Sequence, residues 1–431
     1  MGTSVSTKEP SLPDPDRLRA DLDGHPGRRA AGLGADALGS VSPRQRVNRA
    51  LQHLQPERVP VDFLAVPEIW EQLIRLFQIG AAGPTDEELF EPAREAVLRA
   101  LEVDCRVVSY DQFCQPPVGA FQSGARIDWW STPSRSTPSR MWRRVTSSGE
   151  WLDIWGRGFR LVQMPAGTYE EPGICPLAQA TTVEELRDHP WPDPDWWDFS
   201  SLPDAISRLD RDQEYHLRYR AGSIFEIGWQ LRGLEQFLTD LVQSPALPAY
   251  IMDRLTDVTA ELTRRALAVA GDRLDMVYFY DDVATQNGLL ISKEIWRRLI
   301  RPHHARIIEV ARAHDKKVMY HCDGAIRPLI PELIEMGIDL LNPIQVSARG
   351  MDPAQLKREF GDRLSFHGGI DIVQTLPSGF REDIEREVRE RVETLGAQGG
   401  YILAGTHHIQ AETPLRNVLA MYEVALRAPA T

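Results

Sequence analysis

The chain has 431 residues, 42% hydrophobic and 26% charged, the composition of a folded soluble protein rather than a disordered one. Lys and Arg number 49 against 62 Asp and Glu, a formal charge of −13, and no basic cluster is long enough to follow a phosphate backbone, so nucleic acid is excluded as the expected partner. No run approaches the roughly 20 apolar residues of a membrane span, and the amino terminus has no apolar segment behind a basic start, which predicts a cytoplasmic protein with no membrane partner.

Residues 1–42 are rich in Pro, Gly, Asp, Arg and Ala without sustained periodicity, and read as a flexible tail. From Pro43 a short helix leads into VPVDFL, a compact apolar run suited to a buried first strand. A second helix is predicted from Thr85, which stands at capping-box spacing from Glu88. DCRVVSY follows as the second strand.

Residues 111–200 differ in kind, holding eight of the eleven tryptophans, many prolines and the duplicated pentapeptide STPSR-STPSR. They read as an insertion with antiparallel strands in RMWRRVTS and EWLDIWGRGFRLV, a repeat that forms a solvated loop, and irregular chain packed through its rings. A lid or aromatic substrate wall is the functional reading; a structural cap with its own small core is the plainer one. Cys105, Cys114, Cys175 and Cys322 are too few and too scattered for a disulfide framework and read as reduced thiols.

Beyond residue 200, the apolar runs EYHLRYRAG, DMVYFYDD, KKVMYHCDG, DLLNPIQ, RLSFHGGID and GGYILAG alternate with amphipathic helices. This alternation predicts a parallel sheet, and with the two earlier runs the strands number eight, enough to close a single (β/α)8 barrel over residues 43–431. No Gly-rich phosphate loop follows any strand, against the open doubly wound alternative.

In such barrels the active site forms at the carboxyl ends of the strands. Those exits are polar: Tyr280-Asp281-Asp282 on the fourth strand, His321-Cys322-Asp323 on the fifth, Asn342 and Gln345 on the sixth, His367 on the seventh and Thr406-His407-His408 on the eighth. Alternation puts His321 and Asp323 on one face and Cys322 on the other, so His-x-Asp reads as two metal ligands or as an imidazole oriented by a carboxylate. One of Asp281 and Asp282 is expected to reach the pocket as a general base or electrostatic stabiliser. His303 and His304, on the helix after the fourth strand, read as packing residues.

The segments PERVPVDF, WQLRGLEQFLTDL, DDVATQNGLLISKEIWRRLIRPHHARII, KVMYHCDGAIRPLIPELIEMGIDLLNPIQ, GMDPAQLKREFGDRLSFHGGID and GGYILAGTHHIQAETPLRNVLAMYEVA resemble, in this order, the uroporphyrinogen decarboxylase superfamily, and most closely its branch of methylcobamide:coenzyme M and related corrinoid methyltransferases. The resemblance implies the barrel. The decarboxylase branch carries an arginine pair just after the first strand, where this chain reads DFLAVPEIWEQL with none, so uroporphyrinogen itself is not the expected substrate. His407 falls on that branch's histidine near the last strand. The methyltransferase branch binds zinc through a His-x-Cys and a later Cys; here His321 holds the first position, Asp323 replaces the middle cysteine and Thr406 falls near the last. A site of His321, Asp323 and His407 is more oxygen-rich than the family's, still fit for zinc or another divalent metal, and less suited to a thiolate acceptor.

The leading reading is therefore metal-dependent methyl or other one-carbon transfer, or demethylation, on a small methylated substrate. His321, Asp323 and His407 would hold the metal, Asp281 or Asp282 and His407 would do catalytic proton work, and Tyr280, Asn342, Gln345 and His367 would line the substrate. A separate corrinoid protein would be the partner, and a homodimer is compatible with the sequence. The alternative is a metal-free decarboxylase or lyase on a small carboxylic acid, with an anchor among Arg218, Arg220 and Arg232. A third reading is a catalytically silent, ligand-binding barrel.

Overall fold

The computed structural model describes residues 41–79, 87–117, 129–134, 139–146, 150–164 and 167–428. Nearly all of the predicted tail, and the Thr85 cap of the second helix, lie outside the described residues. The first described helix, Pro43–Leu51, starts where the sequence places it: Ser42 accepts from the Gln45 amide while the Gln45 side chain accepts from the Ser42 amide, with Pro43 at the first turn.

The strands follow in chain order. After β1 (Cys105–Ser109) comes the insertion, whose β2 (Trp130–Pro133), β3 (Arg140–Val145), β4 (Trp151–Asp153), β5 (Gly158–Met164) and β6 (Gly167–Ile174) form one antiparallel meander. The duplicated pentapeptides, predicted as loop, give their outer residues to β2 and β3, with Pro133 paired to Arg140. β7 (His216–Gly222), β8 (Met276–Tyr280), β9 (Lys317–His321), β10 (Leu340–Ile344), β11 (Ser365–Ile370) and β12 (Tyr401–Gly405) then pair with β1 in the order β1-β7-β8-β9-β10-β11-β12, every pair parallel. Each crossover carries a helix, as the alternating pattern requires.

VPVDFL stands as the eighth stave between β12 and β1, but as a single bridge rather than a regular strand. Val61 pairs in parallel with Leu403, the Asp62 amide donates to the Leu403 carbonyl, and on the other side the Asp104 amide donates to the Val61 carbonyl. The reason is local. Pro60 has no amide to give a ladder, and the Val61 amide is taken by the Asp104 carboxylate at 2.8 Å.

Two cores result. Residues on the outer faces of the strands, among them Val277, Phe279, Cys322, Leu341 and Phe366, pack against the helices. Inside the barrel, Cys105, Met276, Met319, Leu340 and Ile402 pack with Val47 and Leu51 of the first helix. That helix is fastened across the amino ends of the strands: Arg44 to Asp275 at 2.7 Å, Arg46 to the fully buried Asp104, and the Gly400 amide to the Ala50 carbonyl. Polar residues two and four places further along each strand therefore rise toward the opposite, carboxyl end.

The insertion sits at that carboxyl end. Cys114 bridges to Trp197, the Tyr110 and Trp197 rings stack at 6.3 Å, the Leu177 amide donates to Leu231, and Arg157 bonds Gln230 on the helix after β7. Trp155 and Trp197 are buried, whereas Trp151 is 47% exposed. Among the described residues, no helix is long and apolar enough to cross a membrane.

Candidate functional site

At the exit of β8 the acidic pair divides. Asp281 is fully buried on the outward face, where it accepts from Ser223 Oγ (2.6 Å), the amides of Ile224 (3.1 Å) and Glu226 (2.9 Å), and His304 Nε2 (2.7 Å). It ties the start of the helix Phe225–Arg232 to the barrel and does not reach the hollow, which corrects its expected catalytic place: alternation that turns Tyr280 inward turns Asp281 outward. Asp282 comes back to the hollow. Its Oδ1 accepts the Asp323 amide at 2.7 Å and lies 3.9 Å from His321 Nε2.

His321, Asp323 and His407 converge from β9 and β12. Their ligand atoms lie within 4.8 Å of one another; His321 Nε2 is 3.8 Å from Asp323 Oδ1, and His407 Nε2 is 3.7 Å from Asp323 Oδ2. Tetrahedral zinc with N and O ligands sets its donors about 3.4 Å apart, so the two His–Asp spacings are close to that value, while the set as a whole, within 4.8 Å, would have to close around an ion. Asp323 Oδ1 is buried and accepts no hydrogen bond among the described residues, a cost that a cation would remove. Cys322 faces the helices and, with Cys105, is held as a thiol by burial. His408 packs on His407 with ring centroids 4.7 Å apart and does not join the three.

The turn that carries Asp323 is tightly made. Gly324 adopts φ +87°, its amide donates to Gln345 Oε1 at 2.6 Å, and a Cβ at this position would lie 2.5 Å from the Thr285 carbonyl of the neighbouring hairpin. Gln345, predicted to line the substrate, thus spends its carbonyl on the backbone. Gly324→Ala is expected to cost roughly 1–3 kcal/mol and to displace Asp323; a urea midpoint equal to wild type would refute the constraint.

Behind His321, hydrogen bonds run across three strands. His321 Nδ1 meets Asn342 Oδ1 at 2.5 Å, Asn342 Nδ2 meets His367 Nδ1 at 2.5 Å, His367 Nε2 meets Asp62 Oδ2 at 2.9 Å, and Arg218 pairs with the same oxygen. Asn342 and His367, predicted as substrate contacts, are therefore turned into the wall with their polar atoms engaged. Asp62 has no role in the sequence reading, its one signal being a charge inside the otherwise apolar run VPVDFL, and Arg218 figures there only as a candidate anchor for a substrate carboxylate. Burial would raise the Asp62 carboxyl, but the Arg218 charge and the His367 hydrogen bond hold it well below the usual carboxylate range.

Of the three arginines considered as anchors, Arg232 is spent on Asp240 and three carbonyls and Arg218 on Asp62. Arg220 lies over the Tyr280 ring, 4.7 Å from its centroid, and donates to the Tyr280 hydroxyl at 3.0 Å; its nearest carboxylate, Asp111, is 3.8 Å away. Burial pushes Asp111 up to about 6 against the Arg220 charge. Glu226, whose Oε1 accepts the Asp282 amide at 3.2 Å, is raised well above its ordinary value by burial and by Asp282. Burial raises Asp282 as well, against the pull of His321. It lowers His407 against the pull of Asp323.

His303 and His304 take the packing roles expected of them, His303 on Thr256 Oγ1 at 3.0 Å and His304 on Asp281. Burial lowers His303 to about 4 from 6.5. Between those values the unfolded chain binds a proton that the folded chain does not, so His303 draws stability down as pH falls through that window. At pH 5 wild type should have lost about 2 kcal/mol more than His303→Gln, relative to pH 7.5; parallel urea titrations with equal losses would refute it.

The sequence profile of the family described as Uroporphyrinogen decarboxylase (URO-D) matches residues 164–427. The methylated-thiol–coenzyme M methyltransferase of Methanosarcina mazei is 23% identical over 206 residues, covering 48% of this chain and 51% of that protein, so the chain spans about half the length of the curated relative it matches. Among solved structures, a methyltransferase from Methanosarcina mazei has the same fold, with a TM-score of 0.59 at 16% identity over 90% of this chain and 98% of that one. The profile takes in every strand from β7 to β12, and with them the exits that bring His321, Asp323 and His407 together; the chain belongs to the uroporphyrinogen decarboxylase family.

Proposed function

We propose that this chain is a metal-dependent methyl (one-carbon) transferase or demethylase acting on a small methylated substrate, with a separate corrinoid protein as methyl donor or acceptor. The observation that carries the reading is the meeting of two imidazoles and a carboxylate, drawn from β9 and β12, with ligand atoms within 4.8 Å. The methyltransferase relatives support the reaction class. In this proposal the barrel is one unit over residues 43–431, with the insertion as a cap.

His321, Asp323 and His407 would hold zinc or another divalent metal and leave a fourth position open, the arrangement of a catalytic rather than a structural site. Such a metal supplies Lewis acidity to the heteroatom that bears the methyl group. Asp282, partly open to the hollow, delivers or accepts the proton of the departing group. Arg220 and Tyr280 border the space where the rest of the substrate lies. One aspartate and two histidines make a harder donor set than a thiolate site, which favours oxygen or nitrogen methyl groups over a thiol acceptor.

A second reading, a metal-free decarboxylase or lyase, is favoured by Arg220, whose nearest carboxylate is 3.8 Å away and which suits the carboxylate of a small acid. Metal analysis of protein purified without chelator decides between them. The proposal expects one zinc per chain and chelator-sensitive methylation of cob(I)alamin by small methyl ethers, amines or thioethers; full activity in a metal-free preparation would overturn it.

A further inference from the structure

We propose that Arg218, Asp62, His367 and Asn342 form a directional relay that locks His321 into the tautomer carrying hydrogen on Nδ1, so that the Nε2 lone pair faces the hollow. The inference rests on the reading of His321 as a metal ligand and gives a positioning role to Asn342 and His367, which the exit pattern reads as substrate contacts, and to Arg218 and Asp62 behind them.

The direction of the relay follows from donor and acceptor chemistry, starting at its far end. Arg218 can only donate, and its carboxylate partner is Asp62. Asp62, held ionised, can only accept. His367 therefore gives its Nε2 hydrogen to Asp62 at 2.9 Å, since a lone pair facing a carboxylate oxygen at that distance would be repulsive. Burial keeps His367 neutral at pH 7, so its Nδ1 must accept. The group it meets at 2.5 Å is then the Asn342 amide nitrogen, and the Asn342 carbonyl is turned to His321. An amide carbonyl can only accept, so His321 donates from Nδ1, and the neutral imidazole in that tautomer has its lone pair on Nε2.

That nitrogen lies near two carboxylates, Asp323 at 3.8 Å and Asp282 at 3.9 Å, and in the neutral tautomer it has no hydrogen to offer them. An imidazole left to itself between two acids would present a hydrogen there. The relay opposes this, and what it prepares is a site for a cation rather than a histidine ion pair. Its members lie on three strands and the VPVDFL stave, and Arg218, His367 and Asn342 are buried, so the amide has no competing water partner to reverse it.

The test uses metal-free full-length protein labelled with 15N histidine, read by two-bond side-chain correlations, together with zinc titration against a chromogenic chelator. Wild type is expected to show hydrogen on Nδ1 of His321 and on Nε2 of His367; hydrogen on Nε2 of His321 would overturn the relay. Asn342→Leu removes the acceptor, and should return His321 to the Nε2–H form and weaken zinc binding 10–100-fold. Asn342→Asp still accepts from His321 and should restore its tautomer while forcing His367 to take a second proton, a signature that a merely structural role for residue 342 would not give. If Asn342→Leu does not fold, the wild-type and Asn342→Asp spectra decide alone. Unchanged zinc affinity in a folded Asn342→Leu would overturn the positioning role. Expected tautomers with no zinc bound by wild type would leave the relay standing and remove the metal reading instead.

Discussion

If the proposed metal site is right, His321→Ala should leave the protein folded but unable to hold its metal tightly. A structural zinc site is worth on the order of 10–16 kcal/mol over four ligands, roughly 2.5–4 kcal/mol each, so by that scale losing one ligand should weaken metal binding about 10²–10³-fold. Compensation is not at hand. Asp282 lies 3.9 Å from the imidazole, but its Oδ1 is committed to the Asp323 amide, and His408 packs against His407 instead of turning to the cluster. Zinc content and methylation of cob(I)alamin should fall together, and a folded variant retaining both would remove His321 from the chemistry. The purified variant should still show the wild-type thermal transition measured in chelator.

Asp281→Ala should do the reverse, destroying stability before chemistry. Removing one partner of a buried ionic network costs about 3–5 kcal/mol, and here the loss strands the Ser223 hydroxyl, two amides at a helix start and the Nε2 hydrogen of His304 in a site with no solvent. The carboxylate also faces the amino end of that helix, where a negative charge is favourable. A urea midpoint shift equivalent to less than about 1 kcal/mol would contradict this role. Asp281→Asn keeps part of the network, and should bind zinc as wild type does wherever it is folded.

How much of this could be read from the chain varies with the physics involved. The six strands after residue 200 and their polar exits were legible because short apolar runs bounded by helices leave few other architectures, and because period-two alternation separates His321 and Asp323 from Cys322 without knowledge of the partners. The choice between Asp281 and Asp282 was not legible. It depends on where β8 ends and on a helix start more than fifty residues earlier that needs a carboxylate. Asn342, Gln345 and His367 read as pocket polarity, since a sequence shows that a group is polar and not which neighbour has already used its hydrogen bond. The relay was the least accessible part: its His367 to Asp62 contact joins residues 305 apart, and Asp62 stands in a stave whose single bridge gives little strand signal. The insertion's meander was visible as alternating segments, while its seat at the carboxyl rim came only from contacts such as Tyr110 on Trp197.

The helix Pro43–Leu51 gives the barrel the form of a cup rather than a tube. With Val47 and Leu51 filling the floor, and Arg44 and Arg46 bolting the helix down, nothing can be threaded through from below. For the reaction proposed, a small molecule and a bulky corrinoid carrier must therefore share one rim. The small molecule has to settle before the carrier covers the opening, and departure has to run in the opposite order.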